Sequence, residues 1–143
     1  MPAGQHPPEV RGPDVSIVVP MHNEEACAEE FHRRVTSAMD SFGRSWELVL
    51  VDDGSTDATR ARIHEICVRD PRAVGVFLAR NRGQCTAIYA GVQHSAGSCV
   101  VIMDADLQHR PEDAPRLVEE MDRGYDLVSG RRENRRDSLL LRR

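Results

Sequence analysis

The chain has 143 residues and a formal net charge of −4, which suits one domain with a buried core and gives no reason to expect nucleic acid as a partner. All 19 basic residues are arginine, and the four cysteines (Cys27, Cys67, Cys85, Cys99) lack C-x-x-C spacing, which argues against a zinc site and fits reduced thiols in a cytoplasmic protein. No run approaches the roughly 20 apolar residues of a membrane-spanning helix, and no signal peptide opens the chain.

Residues 1–13 carry Pro2, Pro7, Pro8 and Pro13 and read as a flexible leader. Residues 15–19, Val-Ser-Ile-Val-Val, predict a strand that ends in Pro20-Met21-His22-Asn23-Glu24-Glu25. A helix over 24–41 follows, with Ala28, Phe31, Val35 and Ala38 as its apolar stripe. A strand over 46–51 runs into Asp52-Asp53-Gly54-Ser55-Thr56-Asp57, where Gly54 permits a tight turn and Ser55, Thr56 and Asp57 offer helix caps. The next helix spans 57–69, with Ile63, Ile66 and Cys67 inward, and Asp70-Pro71 stops it. A strand over 73–79 leads to Arg80-Asn81-Arg82-Gly83 and a helix over 84–96. A strand over 98–103, a helix over 111–122 opened by Pro111, and a strand over 125–129 complete the series. This alternation predicts an α/β fold with a mostly parallel sheet and helices on both faces.

The most informative stretch is Val100-Val101-Ile102-Met103-Asp104-Ala105-Asp106-Leu107-Gln108. Residues i and i+2 of a strand share a face, so Asp104 and Asp106 are expected to point the same way. Adjacent carboxylates repel unless a cation stands between them, and hard oxygen ligands suit Mg²⁺ or Mn²⁺. Each polar strand end alone is equally what helix capping would look like. Three together make one site at the carboxyl ends of the strands, where open parallel sheets bind ligands.

These segments, in this order and spacing, resemble glycosyltransferase family 2: Ser16 to Pro20 with Asn23-Glu24-Glu25, Val51 to Asp57, Arg80 to Gly83, and Met103 to Gln108. The tail from Gly124 to Ser138 is similar to that of the polyprenyl-phosphate hexosyltransferases. The resemblance implies a GT-A, Rossmann-like fold, with residues 14–130 as the nucleotide-sugar-binding domain. Residues 131–143 would be the basic start of an acceptor or membrane-surface segment, and the rest of the acceptor part would be missing. The activity implied is metal-assisted transfer of a hexose, with inversion, from a UDP- or GDP-sugar to a polyprenyl or dolichyl phosphate at the cytoplasmic membrane face.

By the same resemblance, Asp104, Asp106 and Gln108 would hold Mg²⁺ or Mn²⁺. Pro20, His22, Glu24, Asp52, Asp53, Arg80, Ala105 and Asp106 would contact the donor, although Arg80 fits a structural ion pair equally well. Arg131, Arg135 and Ser138 would hold the acceptor phosphate, with Asp104, Asp106, Arg131 and Arg135 carrying the chemistry. Three features depart from the family pattern: His22 stands where an aromatic residue is common, His109-Arg110 replaces Asp-Pro, and Gln84-Cys85-Thr86 is more polar than the small and apolar run usual after Gly83. A non-catalytic nucleotide-binding remnant, or a family member with another acceptor, are the alternatives. A nucleotidyltransferase would need a Gly-rich loop after the first strand, and Pro20 to Glu24 is not one.

Overall fold

A computed structural model describes residues 11–130. Four parallel strands form one sheet: β1 (Val15–Met21), β2 (Trp46–Asp52), β3 (Ala73–Phe77) and β4 (Cys99–Ile102), in the order β3-β2-β1-β4. The helices between them are α1 (Ala28–Phe42), α2 (Thr59–Arg69) and α3 (Gln84–Gln93). A 3₁₀ turn (Pro111–Asp113) leads into α4 (Ala114–Asp122).

The central strands are apolar at nearly every position because both sheet faces are covered. One face packs Val15, Ile17, Val19, Leu48, Leu50 and Val101 against Phe31, Val35 and Met39 of α1, Ile63 and Ile66 of α2, and Val118 of α4. The other packs Val18, Val49, Val51 and Val76 against α3 through Ala87. Gly91 lets α3 approach closely, because a Cβ there would collide with the side chains of Val18 and Val51. On that second face β4 is uncovered, leaving Ile102 49% exposed.

The expected strand over 125–129 is not formed. Its alternating residues Tyr125 and Leu127 are 59% and 86% exposed, so no packed surface rewards an extended pairing there. The first helix begins at Ala28 rather than 24. Residues 24–27 instead form a turn, with the Glu24 carbonyl accepting from the amides of Cys27 and Ala28. Met39, not Ala38, completes the buried stripe of α1.

Candidate active site

Four loops meet at the carboxyl edge of the sheet: 22–27 after β1, 53–58 after β2, 78–83 after β3 and 103–110 after β4. The first two are stitched together by side chains. The Asn23 amide oxygen accepts from the backbone N–H of Thr56 at 2.8 Å, and the Asn23 N–H donates to Ser55 Oγ at 3.0 Å. Asn23 adopts φ 54°, a left-handed conformation that asparagine tolerates. The Glu24 N–H donates to Thr59 Oγ1, and the Glu25 carboxylate accepts from the Ala58 N–H. Ala58, not Asp57, is the N-cap residue of α2, but Asp57, one residue earlier, accepts from the backbone N–H of Thr59 at 2.9 Å and from its hydroxyl and so satisfies the first amide of the helix.

The second and third loops are joined by Asp53, which is only 4% exposed. Its two carboxylate oxygens accept from the backbone N–H groups of Arg82 (2.7 Å) and Gly83 (2.9 Å), just ahead of α3. Gly54, at φ 62°, sits so close to the Arg80–Asn81 peptide that a Cβ would overlap it. His22 Nδ1 donates to the Asp53 carbonyl at 2.9 Å, since a carbonyl can only accept. That leaves His22 Nε2 to accept from the Asn81 side-chain amide at 3.2 Å.

Asp52 lies 1% exposed at the end of β2. It accepts from the Ser55 N–H at 3.1 Å and stands 3.6 Å from the Arg60 guanidinium. Pro20 is half-buried in β1 beside Val51. Arg80 is exposed and has neither hydrogen bond nor ion pair among the described residues.

β4 ends at Ile102, one residue earlier than expected, and residues 105–109 turn back, with Leu107 at φ 61°. Asp104 and Asp106 therefore stand on a turn beyond the strand, and the pleat does not govern their direction. Ala105 between them is buried. Asp106 is exposed, and its Oδ1 accepts from the Gln108 N–H at 3.0 Å. Asp104 is about one-third exposed; Oδ1 accepts from the Gln84 side chain at 2.7 Å and Oδ2 lies 3.5 Å from His109 Nδ1.

Both carboxylates act on Glu24 across the edge. Burial, then the charges of Asp106, Asp57 and Asp104, push the Glu24 carboxyl above its usual range, opposed only by a hydrogen bond from Cys27. The loop after the turn is clamped to α1 by a bidentate Arg34–Glu112 pair at 2.7 and 2.6 Å.

The structure thus gathers Pro20, His22, Glu24, Asp52, Asp53, Arg80, Asp104, Ala105, Asp106 and Gln108 around one edge. Arg131, Arg135 and Ser138 lie outside the described residues. Asn23, Ser55, Asn81 and Gln84 also build the site. The sequence marks Ser55 only as a helix cap and gives Asn23, Asn81 and Gln84 no individual role, because each acts through a loop distant in the chain. A groove of about 570 Å³ lies elsewhere, between α1 and α2. It is lined by Glu25, Glu29, Arg62, Glu65 and Arg69, and Arg69–Glu29 and Arg62–Glu65 already pair with each other.

A parallel sheet covered by helices, with loops of this kind at its carboxyl edge, is the architecture of GT-A glycosyltransferases. The chain belongs to glycosyl transferase family 2, whose profile matches residues 16–143. It is 47% identical over 130 residues to the undecaprenyl-phosphate 4-deoxy-4-formamido-L-arabinose transferase of Edwardsiella ictaluri (strain 93-146), covering 90% of this chain and 40% of that protein. The chain therefore spans about two fifths of that relative. Among solved structures it is similar to the mannosyltransferase PcManGT of Pyrobaculum calidifontis in complex with GDP-Man and Mn²⁺ (28% identity, TM-score 0.64, 77% of this chain and 32% of that one). A second is the glucosyl-3-phosphoglycerate synthase of Mycobacterium tuberculosis in complex with Mn²⁺, UDP and glucosyl-3-phosphoglycerate (27% identity, TM-score 0.61, 77% of this chain and 40% of that one).

Proposed function

We propose that this chain is the donor-binding part of an inverting glycosyltransferase that moves a sugar from a nucleotide-sugar to undecaprenyl phosphate. The observation that carries it is the meeting of Glu24, Asp104 and Asp106 at the sheet edge in a chain so similar to a transferase of that acceptor. The relative's name favours a formamido-pentose over the hexose expected from sequence. Neighbours holding GDP-Man or UDP support a UDP- or GDP-linked donor.

The donor set fits Mg²⁺ or Mn²⁺. Asp104 and Asp106 supply hard oxygens, and their field on Glu24 is the kind a dication relieves. Among the described residues no three His, Cys, Asp or Glu side chains form a metal cluster. Cations that serve nucleotides commonly take one or two carboxylates and complete their shell with substrate phosphates. Asp104, Asp106 and Gln108 would hold such a cation, which when bound would supply Lewis-acid stabilisation for the departing diphosphate.

The chain's own groups do the rest. Asp52 and Glu24 accept from the nucleoside, Pro20 and His22 pack beside its base, and Asp53 keeps the 80–83 loop in place. Arg80, which has no partner among the described residues, offers its guanidinium to the phosphates. Ala105 is small enough for the donor to lie close to the turn. A phosphate oxygen of the acceptor bonds to the anomeric carbon as the bond from that carbon to the diphosphate oxygen breaks, inverting the centre. No proton is removed, because a phosphate monoester is already ionised at neutral pH, so no general base is needed. Arg131, Arg135 and Ser138 would hold it. An amphiphilic acceptor and the run of arginines and leucines over 131–143 support work at the cytoplasmic membrane surface. No helix among the described residues is long and apolar enough to cross a membrane.

The test is transfer by the protein carrying this domain, from UDP-linked 4-formamido-arabinose to undecaprenyl phosphate with Mn²⁺. A lipid-linked sugar, lost on Asp106→Ala, is expected. Nucleotide release without any lipid-linked product would overturn the proposal.

A further inference from the structure

The Gln84–Asp104 contact crosses from the first residue of α3 to the acidic turn after β4, at 2.7 Å. The backbone around Gln84 is unusually well anchored for an exposed loop. Asp53 holds the amides of Arg82 and Gly83 with both oxygens, and the Asn81 side chain accepts a further bond from the Gly83 N–H at 3.0 Å. The Arg80–Asn81 peptide rests on Gly54. Gln84 therefore reaches Asp104 from a fixed pedestal built on the end of β2. A neutral amide is chemically suited to this place. It fixes one carboxylate oxygen by donation yet leaves the full negative charge for a cation, whereas Lys or Arg would cancel it and Glu would repel it.

We propose that Gln84 is a positioning residue that orients Asp104 and so couples the amino-terminal turn of α3 to the cation and nucleotide site. This rests on the function proposed above. Hydrogen-bond partners of metal-ligating side chains set ligand orientation, and losing one typically weakens metal affinity roughly 10- to 100-fold.

The experiment titrates Mn²⁺ into the chain with saturating UDP, read by the free-ion electron paramagnetic resonance signal. Wild type, Gln84→Met (similar shape, no donor) and Gln84→Glu are compared, with thermal unfolding in EDTA as the folding control. The Mn²⁺ dissociation constant is expected to rise roughly 10-fold in Gln84→Met and further in Gln84→Glu. Melting should stay within about 2 °C, since the side chain is exposed and surface changes shift stability little. Wild-type Mn²⁺ affinity in both variants, or affinity falling only in step with melting temperature, would overturn the positioning role. Absence of Mn²⁺ binding in wild type would instead sink the function on which it rests.

Discussion

Replacing Gly54 by alanine isolates the contact on which the site's geometry depends. The residue sits at φ 62°, where an L side chain costs about 1–2 kcal/mol. The added Cβ would also overlap the Arg80–Asn81 backbone, which cannot swing aside as a side chain tip could. Overpacking of that kind adds roughly 1–3 kcal/mol, so Gly54→Ala should destabilise the chain by about 2–5 kcal/mol in all. Gly43 supplies the matched control. It lies at φ 78° as the cap of α1, but a Cβ there meets nothing within 4 Å. Gly43→Ala should therefore cost only the conformational part, about 1–2 kcal/mol. Urea unfolding of both variants, fitted with a common slope, reads the difference directly. The collision also displaces the loop that carries Arg80 and leads to Gln84, so UDP binding should fall in Gly54→Ala and survive in Gly43→Ala. Equal destabilisation by the two alanines, or unaltered UDP binding in Gly54→Ala, would refute the inference that the β2 turn props up this loop.

Other perturbations separate scaffold from ligand-facing groups. Asp53→Asn keeps one acceptor oxygen but turns an NH₂ toward a backbone N–H, and should cost roughly 1.5–3 kcal/mol, the worth of one bond to a charged acceptor. Amide exchange at Arg82 or Gly83 should speed up accordingly, and unchanged protection would count against the anchor. Asp57→Ala removes the acceptor for the first amide of α2 and should cost about 1 kcal/mol while leaving UDP binding intact; normal melting with lost binding would reverse that assignment. Burial pushes the Asp70 carboxyl up, but hydrogen bonds from the Arg72 side chain and backbone and from His32 outweigh it and hold the group at about 2, below its ordinary 3.8. Its folded value is lower than its unfolded one, so it stabilises the fold above about pH 4, and that stability drains away as pH falls toward 2. Because Arg72 is partly exposed, the loss should be roughly 1–2 kcal/mol; an acid titration that Asp70→Asn leaves unchanged would exclude it.

The sheet was legible because β1 and β2 are buried on both faces and so read as largely apolar runs bounded by turn residues. The site's location was legible too, since β1, β2 and β4 each lead into a polar cluster. The roles of individual carboxylates were not. Asp52 and Asp53 are adjacent in a motif of ligand-like residues, yet Asp53 turns inward and spends both oxygens on the loop after β3. Nothing local in Asp-Asp-Gly-Ser distinguishes a carboxylate facing a ligand from one tying down a loop 29 residues away. Gln84 looked like a mere polar departure until α3 brought it to Asp104. The missed strand over 125–129 shows the converse. Its alternation is real, but alternation makes a strand only where a partner edge and a covering layer exist, and Leu127 has neither.

In the proposed function, the edge formed by Glu24, Asp104 and Asp106 binds a nucleotide together with a divalent cation. Calorimetric titration of UDP and GDP into the chain, with Mn²⁺ and then with EDTA, measures it most directly. Binding of one nucleotide that requires Mn²⁺, and that is abolished by Asp106→Ala without a change in unfolding temperature, is the expected result. Equal affinity in EDTA, or full affinity in a folded Asp106→Ala variant, would contradict it.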